Sequence, residues 1–61
     1  MITLYEVQTF YGTRRRTFQH ERNAKLYVNQ LINLHHIEPE LIEVNPYEVT
    51  RDEYIYTDIA D

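Results

Sequence analysis

Three histidines, a run of three arginines and a set of carboxylates are the side chains here whose types could carry chemistry. His35 and His36 are adjacent. On a helix their side chains diverge by about 100°, which is poor geometry for chelating one metal. His20 lies at the other end of the same predicted helix, about 20 Å away at 1.5 Å rise per residue. A metal site would need Glu38 or Glu40 and a second chain, so neither a metal nor another cofactor is expected. Nucleophiles are scarce, because the chain contains no serine and no cysteine. Thr3, Thr9, Thr13, Thr17, Thr50 and Thr57 show no base-and-orienter arrangement. A single glycine cannot build a phosphate-cradling loop. No spacing among the carboxylates singles out a proton donor. The expectation is a protein that binds and is not an enzyme.

Two clusters could carry binding. Arg14, Arg15 and Arg16 form the first. In a strand, Arg14 and Arg16 share a face and Arg15 takes the other. Beside Phe10, Tyr11 and Phe18 they make a basic aromatic ribbon of the kind that meets phosphates and stacks on bases. The net charge of −4 argues against nucleic acid as the main partner. The arginines could instead pair with Glu43, Glu48 or the tail, guard a sheet edge, or act as a hot spot on a protein interface. The second cluster interleaves Glu48, Asp52, Glu53, Asp58 and Asp61 with Tyr47, Tyr54 and Tyr56. Carboxylates with aromatic anchors suit a basic partner surface, a DNA-binding groove included. The plain alternative is a solvated tail. The candidate partner-binding residues are therefore Arg14, Arg15, Arg16, Tyr47, Asp52, Glu53, Tyr54, Tyr56 and Asp58.

The clusters reflect a charge asymmetry. Residues 1–36 hold five basic and two acidic side chains, whereas residues 37–61 hold one basic and eight acidic. The halves are expected to neutralise one another only partly within one chain.

With 61 residues, a single domain is expected, with 1–49 as its core and 50–61 as an acidic C-terminal segment. A domain of this size buries only about 60% of the surface its unfolded chain exposes. The lack of cysteine excludes disulfides and thiolate zinc sites. Stability must then come from a good core, from a second copy, or from the target. No apolar run approaches the roughly 18 residues of a membrane span. Residues 1–6 lack the basic start and apolar stretch of a signal peptide. A cytoplasmic protein that does not contact membranes is expected.

The elements that must position these residues follow from periodicity. Residues 2–10 read as a strand rich in β-formers, with Glu6 on the face of Ile2 and Leu4. Gly12 is the natural hairpin turn, and residues 13–18 form the second strand. Residues 21–35 read as an amphipathic helix, with Ala24, Tyr27, Val28, Leu31 and His35 along one stripe. Its start lacks a good cap, since Gln19 or His20 must serve. Pro39 stops any continuation. Residues 41–44 are a third strand. Asn45-Pro46 suggests a turn, a bulge or a sheet edge, and residues 47–49 resume the strand. Thr50-Arg51-Asp52-Glu53 fits a capping box, so a short helix or a docked tail is expected there over a fourth strand. The result is an α+β fold, a small two-layer ββαβ sandwich. Its second sheet face is left without a cover unless the tail or another copy supplies one. Tyr5, Phe10, Tyr11 and Phe18 cannot all point at one helix, so aromatic surface is expected to be exposed or dimeric.

This layout over residues 4–18, 21–35 and 41–49 resembles the small accessory proteins of tailed bacteriophages. That resemblance implies a module that binds and disables a larger bacterial protein, such as a host enzyme or defence system.

Overall fold

A computed structural model describes residues 1–9 and 15–61. The β-formers at the start make strand β1 (Ile2–Thr9), and β2 (Arg15–Phe18) returns antiparallel beside it. Helix α1 (Glu21–Asn33) follows, then a single 3₁₀ turn (Pro39–Leu41), strand β3 (Ile42–Val49) and a short helix α2 (Arg51–Tyr56). The sheet order is β2-β1-β3, with both pairings antiparallel. The expected ββαβ arrangement is present. The predicted hairpin turn at Gly12, with Phe10, Tyr11, Thr13 and Arg14, lies outside the described residues.

The register sorts side chains onto two faces. Tyr5 stands opposite Phe18 and Pro46, and Val7 opposite Arg16 and Val44, so these residues share the α1 face. Helix α1 packs on β1 and β2. Val7, Phe18, Ala24 and Leu31 form a buried cluster there, with Tyr5, Tyr27, Val28, Ile37 and Ile42 packed around it. Tyr5 and Phe18 thus both reach the helix side, and the Phe18 ring lies 5.4 Å from that of Tyr27. His35, at the end of the predicted stripe, is exposed.

Leu4 alternates to the opposite face, yet it is fully buried, and Thr17 and Val49 on that face are buried too. Helix α1 cannot cover them. The C-terminal segment reaches this side: the Ala60 N–H donates to the Thr17 carbonyl at 2.8 Å. The Tyr54 hydroxyl donates to Gln19 Oε1 at 2.9 Å. Of the two covers expected for the second face, the tail is the one bonded beside it. This small second core holds Leu4, one of the largest fully buried side chains.

Of the three readings offered for Asn45-Pro46, the sheet edge is the one found, since β3 runs unbroken through it. Among the described residues β3 pairs only with β1, and an edge strand tolerates a residue without an N–H. One local expectation needs correction. Helix α1 ends at Asn33, short of His35. His36 adopts a left-handed φ of 56°, and the Ile37 N–H folds back to the Leu31 carbonyl at 3.0 Å. That turn delivers Ile37 to the core. The expected weak start of α1 is found: His20 is the N-cap and its side chain makes no capping bond. The capping box on α2 is present as predicted: Glu53 N–H donates to Thr50 Oγ1 and Thr50 N–H to Glu53 Oε1.

Candidate functional site

Strand alternation separates Arg15 and Arg16, the two described arginines of the run. Arg16 lies on the α1 face, its guanidinium 5.2 Å from the centre of the Tyr27 ring, a cation–π contact. Arg15 lies on the other face, its Nε 3.8 Å from Glu6 Oε2, with the arginine side chain 67% exposed. So exposed and long a pair contributes little. Arg14 lies outside the described residues.

The returning tail puts acidic chain beside these arginines. Thr57, Asp58 and Ala60 form one bank of an open polar cleft of about 620 Å³, with Glu6, Arg15, Arg16 and Thr17 along the other. The basic run and the acidic tail meet here although some forty residues separate them. No carboxylate of residues 37–61 lies within ion-pair distance of either described arginine. The neutralisation between the halves is thus incomplete among the described residues. Both signs of charge line the cleft, and no histidine enters it. No group of three metal-ligating side chains is assembled among the described residues.

Asp61, which the sequence showed only as tail charge, carries several hydrogen bonds. The Asp61 carboxylate accepts from the Gln19 N–H at 2.8 Å, the His20 N–H at 3.3 Å and the Asn23 amide at 2.7 Å. It also lies 3.0 Å from His20 Nδ1. An ionised carboxylate only accepts, so that ring nitrogen carries the proton. Burial works against the Asp61 charge, but the bonds from Gln19, Asn23 and His20 outweigh it and hold its carboxyl far below the usual range. Asp61 thereby does from a distance what the N-cap of α1 fails to do locally, placing a negative charge at the positive end of the helix dipole. The weak cap at residues 19–20 was the one signal that a distant acid was wanted.

The C-terminal candidates divide by task. Glu53 is committed to the capping box, where the Thr50 N–H and hydroxyl lower its pKa. Tyr54 is half-buried and ties the tail to Gln19. Asp52 and Asp58 are exposed, and Tyr47 is near the border of exposure. Tyr56 is 89% exposed and its neighbour Ile55 68%. Ile55 was not among the candidates.

Strand β3 completes the outer surface. Its residues 43–48 are all exposed. Glu43 accepts from Gln8 Nε2 at 3.2 Å across the pair with β1. No described helix is long and apolar enough to cross a membrane.

No protein-family model matches this chain, and neither a curated protein nor a solved structure matches it significantly.

Proposed function

We propose that this chain is a non-catalytic binding module that docks on a larger bacterial protein in the cytoplasm and modulates or inhibits it. The observation that carries the reading is the exposed pair Ile55 and Tyr56 on α2. A helix of six residues is ordinarily marginal. This one has both halves of a capping box at its start and a tether through Tyr54. Those bonds hold a large apolar pair in water at little further entropic cost to a partner, since tyrosine has few rotatable bonds. Asp52 on the same helix supplies charge that steers a basic surface towards it. The likeness in layout to phage accessory proteins supports the same direction.

The test is capture of protein from bacterial lysate on the immobilised chain at low and high salt, beside the double variant Ile55→Ala, Tyr56→Ala. One dominant protein retained by the wild type at both salts, and lost at least tenfold by the variant, is expected. Nucleic acid retained only at low salt would overturn the reading in favour of the arginines.

A further inference from the structure

The hydrogen bond from the tail reveals which backbone groups each strand turns outward. The Thr17 carbonyl accepts from Ala60, so it points away from β1. Thr17 stands opposite Glu6. In an antiparallel pair both backbone groups of a residue point the same way, and opposed residues either exchange both bonds or none. Glu6 therefore turns its groups towards β3 and bonds with Asn45 opposite it. Tyr5, one residue earlier, turns towards β2. Pro46 opposite Tyr5 thus turns outward, and its missing N–H costs the ladder nothing. The same parity sends the backbone groups of Val44 and Glu48 to the open side of β3, where the sheet has no further strand among the described residues.

We infer that this edge takes an extended, cationic segment of a partner protein as a fourth strand, which deepens the binding role proposed above and rests on it. The occupant follows from charge. Glu43 and Glu48 lie on opposite faces of β3 by alternation, both exposed, within a stretch of eight acidic side chains against one basic. A strand with lysine or arginine beside each meets opposite charge on both faces while its backbone bonds to Val44 and Glu48. A second copy is disfavoured. Two β3 strands paired antiparallel about their middle set Pro46 against Pro46 at a position where opposed residues should exchange two bonds, and neither proline has an N–H to give. The prolines disfavour its own kind, and the carboxylates favour a cationic strand over a neutral one.

The probe is a short capped peptide of threonine and valine with two lysines five positions apart, matched by a glutamate version and by a lysine version N-methylated on alternate nitrogens. Amide exchange of the full chain is followed by NMR. The lysine peptide is expected to slow exchange at Val44 and Glu48 at least tenfold. The N-methylated peptide should bind at least tenfold more weakly despite equal charge, and the double variant Glu43→Lys, Glu48→Lys should prefer the glutamate peptide. Equal binding of the N-methylated peptide, or exchange unchanged at Val44 and Glu48 under saturating peptide, overturns the proposal. So does concentration-dependent protection of these amides without peptide, which gives the edge to a second copy. The Ile55→Ala, Tyr56→Ala variant should bind the peptide like wild type. A lysate target that needs Tyr56, with no peptide bound at β3, would sink this inference alone.

Discussion

The two edges of the sheet are treated in opposite ways. At β2 the outward carbonyl of Thr17 is met by Ala60, and the chain that delivers this bond also anchors Asp61 at the start of α1. At β3 nothing among the described residues takes up that role, and the strand carries Glu43, Pro46 and Glu48 where β2 has a tail. One edge is closed by covalent neighbours at the cost of a long return. The other is guarded by charge and by a residue without a donor, the usual defence against unwanted pairing. A closed edge adds stability. A guarded edge adds little, but it leaves a strand that a suitable partner can still reach.

The largest test of this contrast is Leu4→Ala. If the tail side is a true second core, the substitution should cost about 2–4 kcal/mol by urea melting. A chain of this length holds about 3–9 kcal/mol in all, so the variant should lose a large share of its stability. A cost below about 1 kcal/mol would mean the tail merely lies on the sheet.

Asp61→Asn comes next, at about 1–2 kcal/mol, as for loss of a charged helix cap. Its pH dependence has a definite sign. The folded pKa of Asp61 is lowered, so its contribution is fully present above the unfolded value of about 4. That contribution is lost as pH falls through the folded value. Wild type and variant should therefore differ at neutral pH and converge in strong acid. A gap that persists there would show that the carboxylate charge is not what holds the tail.

Arg16→Ala should cost about 0.5–1 kcal/mol through its contact with Tyr27, whereas Arg15→Ala should cost less, its partner being distant and solvated. Equal costs would erase the difference between the two faces of β2. The smallest effect on stability belongs to the guarded edge. Pro46→Thr should change stability by about 0.5 kcal/mol or less, yet promote self-association in sedimentation velocity, more so when combined with Glu43→Thr and Glu48→Thr. A monomer at high concentration in the triple variant would mean that these residues do not guard the edge.

Much of this architecture is local and therefore legible in the residues alone. Alternation marked β1, and the Ala24–Leu31 stripe marked α1. Thr50 and Glu53 marked the start of α2, because a capping box is closed within four residues. Other features depend on groups far apart in the chain. Asn45-Pro46 left a turn, a bulge and a sheet edge open, and only the order of the strands selects the edge, where a proline is tolerated. Nothing near Asp61 says that its carboxylate meets Gln19, His20 and Asn23, and nothing near Leu4 says that its face is covered. Likewise, the sequence shows three arginines in a row but not that Arg16 rests on Tyr27 while Arg15 turns to Glu6. Composition and periodicity determined the α+β class, the order of elements and the charge split, because those follow from side-chain preference over a few residues. Which edge is closed, which is open and which acid caps α1 were decided by tertiary structure, because each depends on where the chain returns.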